Sequence, residues 1–202
     1  MRVYIHCGPP RTGTSSFQML LSRIGNIEGK LLLPEAGRDP HSWGIVHHLL
    51  MEYDEQYRSN SLGEFNLNLS AIDLLVKELN DHPFSNATAV ISSERFASLR
   101  WDQVQLLATL LKDHEVVFVF CQRDFVDLHL SIWKKRVETG LTETIKQSML
   151  DIWPALQYMA VTLPELVKRS FGSESLRFIN YSKIASENLK NIYICCFFSF
   201  CF

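Results

Sequence analysis

The stretch His6-Cys7-Gly8-Pro9-Pro10-Arg11-Thr12-Gly13-Thr14-Ser15 decides how this chain is read. Just before it, Val3-Tyr4-Ile5-His6-Cys7 is short, β-branched and aromatic, the composition of a buried strand. Gly8 to Gly13 is loop chemistry, with glycine at both ends and two prolines between. Thr14 or Ser15 is suited to cap a helix whose apolar face is Phe17, Leu20, Leu21 and Ile24, and Gly25 and Gly29 mark its end. A turn that leads from a strand into a helix N-terminus points backbone N–H groups, and the positive end of the helix dipole, at an anion.

Working outward, residues 69–79 read as a helix with Ile72, Leu75, Val76 and Leu79 on one face. Strands are expected at 88–92, 116–121 and 176–181, and helices at 101–112, 126–138 and 145–168, the last broken at Pro154 and Pro164. Between 30 and 70 the pattern gives a loop, a short helix over 45–53 and a second loop. Continuously apolar strands separated by helices point to a parallel sheet covered on both sides. The fold class expected is α/β: a P-loop-like three-layer αβα domain spanning 1–202, with a central, mainly parallel sheet. Residues 191–202, rich in Phe and Cys without a period, stand apart as an atypical apolar tail, and we expect them to mark a truncated chain.

Composition narrows the function. The 202 residues are 47% apolar and 21% charged, enough for a core and not the make-up of a disordered chain. Lys and Arg (20) nearly balance Asp and Glu (22), which excludes an electrostatically driven nucleic-acid binder. The five cysteines form no CxxC pair, so neither a zinc site nor a disulfide framework is indicated, and Cys7 and Cys121 read as small buried hydrophobes. The longest apolar run, 192–202, is far short of the ~20 residues that span a bilayer. Met1-Arg2 runs directly into the first strand, so no leader is expected and the setting is taken as cytoplasmic.

The GxxxxG spacing of Gly8 and Gly13 is that of the nucleoside-triphosphate P-loop, but the following lysine is replaced by Thr14. That lysine serves the terminal phosphates, so its loss argues against ATP or GTP hydrolysis. An ordinary Gly/Pro turn before a helix has the same spacing. Arg11, two residues before the second glycine, makes the motif more specific.

The segment HCGPPRTGTSSFQ resembles the 5′-phosphosulfate-binding loop of sulfotransferases that use 3′-phosphoadenosine 5′-phosphosulfate (PAPS), with loops of the H-x-G-x-x-K-T-G-T-[ST] kind. Arg123-Asp124 follows the strand VFVFCQ, and Ser131 comes eight residues after the arginine, similar to the family's 3′-phosphate unit of R-D-P and a distal serine. Phe125 replaces that proline, and Gly140 resembles the glycine that ends the segment. The resemblance implies a P-loop-like α/β fold, PAPS as donor, and adenosine 3′,5′-bisphosphate as product. It implies that Pro10, Arg11, Thr12, Gly13, Thr14 and Ser15 hold the 5′-phosphosulfate, with Ser93 beside the bridging group, and that Arg123 and Ser131 hold the 3′-phosphate. The spacing has a physical basis. Arg123 at a strand's C-terminal end faces the crevice where ligands of open α/β sheets bind, and Ser131 stands about two turns along the next helix. Alone, Arg123 reads equally well as an ion-pair partner of Asp124 or Asp127.

Sulfuryl transfer needs an aligned, deprotonated acceptor oxygen and neutralisation of charge on the leaving phosphate. Arg11 is expected in the second role, where the family usually has lysine. The base is left open between His47, His48 and Glu94. Histidine has a suitable ordinary pKa of about 6.5, the two ring directions differ by about 100° on a helix, and the preference falls on His48. Glu94, in Ser92-Ser93-Glu94, falls at a strand end beside the expected cleft. His41, beside Trp43, is a candidate lining of an acceptor groove; Trp43 is a candidate to stack on sugar or adenine, while Trp101, Trp133 and Trp153 read as helix packing. The acceptor expected is a hydroxyl of a carbohydrate or small metabolite; no metal, nucleic acid or membrane span is called for. Two rival readings stand beside the transferase: a P-loop kinase, and an inactive or truncated nucleotide-binding remnant of the same fold.

Overall fold

A strand buried along its whole length needs cover on both faces of its sheet, and the chain supplies it. The computed structural model describes residues 1–38, 42–43 and 71–181. The expected helix over 45–53, His41, His47, His48 and the tail at 191–202 lie outside the described residues.

In chain order the elements are β1 (Arg2–Cys7), α1 (Thr14–Ile24), β2 (Leu31–Leu32), α2 (Ala71–Asn80), β3 (Thr88–Ser92), a 3-10 turn (Glu94–Ser98), α3 (Trp101–Leu110) and β4 (Glu115–Gln122). Then come α4 (Phe125–Glu138), α5 (Ile145–Gln157), a π turn (Tyr158–Thr162), α6 (Leu163–Phe171), a 3-10 turn (Ser173–Ser175) and β5 (Leu176–Asn180). The described strands form one parallel sheet in the order β2-β3-β1-β4-β5. Every residue of β3 and six consecutive residues of β4 are buried, as helices on both faces require. The expected α/β architecture is therefore the observed one.

The core gathers Val3, Ile5 and Cys7 of β1, Phe17 and Leu21 of α1, Ile72, Leu75 and Leu79 of α2, Val104 and Leu107 of α3 and Val167 of α6 around the sheet. Each fully buried side chain of this kind contributes roughly 1.5–3 kcal/mol. Trp43 joins them at 1% exposure, its indole N–H donating to the Pro34 carbonyl at 3.0 Å. It is a core residue, with no exposed face left to stack on a sugar or adenine ring. Trp101 and Trp153, expected in helix packing, are instead exposed on α3 and α5. Trp153 still meets the Phe125 ring at 5.4 Å.

The long helix expected over 145–168 is corrected in detail. Pro154 lies inside α5 without ending it. The regular pattern gives way one turn later, at the π turn, and Pro164 opens α6 where a missing N–H costs nothing. The widened turn lets the Tyr158 hydroxyl donate to the Leu99 carbonyl. Among the described residues no helix is long and apolar enough to cross a membrane.

The strand order positions the site. From β1 the chain departs toward β2 and β3, and from β4 it departs toward β5 on the other side. Adjacent strands whose connections diverge open a crevice at their C-terminal ends. The loops after β1 and β4 both border that crevice.

Candidate active site

The loop at residues 8–15 owes its shape to three local features. A Cβ on Gly8 would stand 3.0 Å from both the Cys121 Cβ and the Thr12 Oγ1, so only glycine lets the loop lie this close to β4. The Thr12 hydroxyl donates to the Pro9 carbonyl at 2.7 Å, closing the turn from within. Arg11 is held at φ 72° and Gly13 at φ 81°, both left-handed. For arginine that conformation costs about 1–2 kcal/mol, strain of a kind that concentrates at functional sites.

The loop delivers α1 with its N-terminus bare. Gly13 is the N-cap and offers no side-chain acceptor, and the first turn contains no acidic residue. The amides of the first turn therefore lack the usual caps. The Thr14 hydroxyl, on a residue only 3% exposed, has no hydrogen-bond partner. A buried polar atom left unpaired costs roughly 1–3 kcal/mol. An anion at this spot would satisfy both the helix end and the hydroxyl.

From the other side of the crevice comes the β4–α4 turn. The Asp124 carboxylate caps α4 by accepting from the amides of Val126 and Asp127. Arg123 is thereby left without the ion pairs considered for it: it donates through Nη1 to the Arg11 carbonyl at 2.9 Å and lies over the Tyr181 ring at 5.2 Å. Ser131, two turns along α4, accepts from Arg11 Nε at 3.1 Å. So the loop cation and both members of the Arg123/Ser131 unit form one connected cluster.

These groups line a single crevice of about 430 Å³, together with Pro10, Gly13, Thr14, Ser15, Ser16, Glu94 and Tyr181. The volume lies within the range of ligand sites. A second cavity of about 480 Å³ adjoins it, with Phe120 and Phe178 as neighbouring rings 5.8 Å apart and Leu128, Leu156 and Met159 around them. Arg123 borders both cavities.

Of the residues singled out in the sequence, Pro10, Arg11, Gly13, Thr14, Ser15, Glu94, Arg123 and Ser131 come together here. Two do not present their side chains to it. Thr12 is fully buried and its hydroxyl is spent within the loop. Ser93, 2% exposed, caps the 3-10 turn by accepting from the Arg95 amide at 3.3 Å, and is not among the lining residues. His47 and His48 lie outside the described residues. Ser16 and Tyr181 were missed. Tyr181, expected as the last residue of a strand, instead stands just past the C-terminal end of β5, where a crevice residue belongs.

One further group lies directly beneath the loop. His6 is fully buried, and burial pushes its imidazole down to about 3, so it is neutral. Burial also pushes the Cys7 thiol well up, with Cys121 adding to the effect, so Cys7 is an unreactive thiol.

No protein-family model and no curated protein matches the chain. Among solved structures, its fold is similar to that of a sulfotransferase from Alicyclobacillus acidocaldarius, with a TM-score of 0.59 and 16% identity over 96% of this chain and 79% of that one. At that identity the likeness is one of fold.

Proposed function

We propose that the protein is a sulfotransferase that moves a sulfuryl group from PAPS to a hydroxyl acceptor. The observation that carries this reading is the crevice itself: the loop at 8–15, the bare end of α1, Arg123 and Ser131 all line it. Two anion-holding groups on one face suit a donor with two phosphates. The uncapped helix and the unpartnered Thr14 hydroxyl fit the 5′ end, and the guanidinium of Arg123 with the Ser131 hydroxyl fits the 3′-phosphate. The fold similarity to a bacterial sulfotransferase supports the reading. The absence of a lysine after Gly13 keeps a triphosphate-hydrolysing role unsupported.

PAPS, held by the loop at 8–15, Arg123 and Ser131, would supply the sulfuryl group, with the 5′-phosphate as its leaving group. Arg11, exposed at the loop apex, neutralises the charge that grows on the leaving phosphate. Arginine holds its proton at neutral pH, so it acts by charge and hydrogen bonding and not as a general acid. Glu94, at the crevice wall, takes the proton from the acceptor hydroxyl. Ser131 keeps Arg11 aligned across the crevice. The acceptor class we propose is a carbohydrate or a small hydroxylated metabolite. The described cysteines, Cys7 and Cys121, are free thiols, which suits a reducing, cytoplasmic setting.

Calorimetric titration with adenosine 3′,5′-bisphosphate tests the reading. Saturable one-to-one binding is expected, and no heat at millimolar ligand overturns it.

A further inference from the structure

His6 plays no part in the chemistry above, yet both its ring nitrogens are engaged. Nδ1 stands 2.8 Å from Ser92 Oγ on β3, and Nε2 stands 3.1 Å from Cys121 Sγ on β4. A neutral imidazole has one N–H and one lone pair, so one of these partners accepts from the ring and the other donates to it. The ring also packs on Phe17 of α1, centroids 4.5 Å apart. Main-chain and side-chain bonds close the same unit: Ser93 N donates to the His6 carbonyl at 3.1 Å, and Gln18 Nε2 of α1 donates to the Ser92 carbonyl at 2.9 Å.

Each arm of this tie ends next to a wall of the crevice. Ser92 is two residues before Glu94, and Cys121 is two before Arg123. Cys121 is also the residue on which Gly8 rests. His6 itself is two residues before Gly8, where the loop begins. Backbone pairing fixes the strands' register, with His6 opposite Ser92 and Val119, and the imidazole adds side-chain bonds that span β1, β3 and β4.

We propose that His6 is a positioning residue of the crevice: through Ser92 and Cys121 it fixes the spacing of the 8–15 loop, Glu94 and Arg123. The proposal rests on the donor-site reading above, and the test separates the two. Three variants serve. His6→Phe keeps the ring and its packing on Phe17 but carries no polar atom. Ser92→Ala and Cys121→Ala each remove one arm, and Cys121→Ala keeps the Cβ under Gly8. Amide hydrogen exchange is followed in the full chain on peptides covering 8–15 and 120–124, with those covering α2 as internal reference, alongside titration with adenosine 3′,5′-bisphosphate.

Exchange in the two site peptides is expected to quicken about tenfold in each variant while α2 is unchanged, since local opening is governed by local contacts. The dissociation constant is expected to rise about tenfold. A merely structural role would speed exchange everywhere, or lower the unfolding midpoint with the site peptides unmoved; either result overturns the proposal. Should His6→Phe fail to fold, the two single-arm variants decide. If the wild-type chain binds no bisphosphate, the donor reading falls and exchange alone judges His6. If it binds and the variants match it in affinity and exchange, only the His6 proposal falls.

Discussion

Replacing Arg123 by methionine separates the two ends of the crevice. Arg123 is half-buried, donates a hydrogen bond to the Arg11 carbonyl at 2.9 Å and lies over the Tyr181 face. Losing that bond costs the free protein about 0.5–1.5 kcal/mol, so the variant folds. Toward a ligand the loss is larger. A charge-assisted hydrogen bond is worth about 1.5–3 kcal/mol, and about 1.4 kcal/mol is tenfold in affinity. Binding of adenosine 3′,5′-bisphosphate is therefore expected to weaken roughly 10- to 150-fold, toward the lower end because partial exposure screens the charge. The control is adenosine 5′-phosphate, which lacks the 3′ group. Wild type and Arg123→Met should bind it alike within about threefold, since the remaining contacts lie at the loop. Calorimetry at fixed ionic strength measures all four affinities. Equal weakening toward both nucleotides would mean that Arg123 acts only by holding the loop, and unchanged affinity for the bisphosphate would refute its assignment outright.

Other outcomes follow from the same geometry. Thr14→Val removes a buried hydroxyl without a partner, so thermal unfolding should shift slightly upward while bisphosphate affinity falls about tenfold, the worth of one good hydrogen bond. Gly8→Ala drives a methyl against Cys121 and Thr12 at 3.0 Å and should cost about 1–3 kcal/mol in urea titration. Glu94→Gln should leave bisphosphate binding intact and slow transfer about 10²- to 10⁴-fold. His6 has a folded pKa of about 3 against an ordinary 6.5, so the unfolded chain binds the extra proton. Its contribution is complete above about pH 6.5 and is lost at about 1.4 kcal/mol per unit as pH falls toward 3; denaturation midpoints measured across that window should flatten in His6→Phe.

What the sequence disclosed, and what it withheld, follows from how local each signal is. The runs at 88–92 and 116–121 show no polar alternation and are short and β-branched, as a doubly covered strand is, and they form β3 and β4 with bounds within a residue. The loop from Gly8 was legible for the same reason: its glycines and prolines act on their own backbone. The two-residue β2 has no period to read. The break after α5 was misplaced because proline chemistry pointed to Pro154, while the tertiary bond from Tyr158 to Leu99 lies with the turn that follows. In the site, Arg123 and Ser131 were visible as a spacing, but the bond joining Ser131 to Arg11 spans 120 positions and belongs to the fold alone. Ser93 was misjudged because its role as a cap depends on the 3-10 turn that the apolar pattern did not reveal. His6, on a strand of apolar neighbours, carried no sign of the tie it makes to β3 and β4.

Arg123 is the party wall between the polar crevice and the aromatic cavity of Phe120 and Phe178. A neutral, flat compound lodged among those rings would lean on the same guanidinium from behind. On the donor-site reading, such a compound would weaken nucleotide binding without imitating a nucleotide or carrying a charge, by turning one arginine aside.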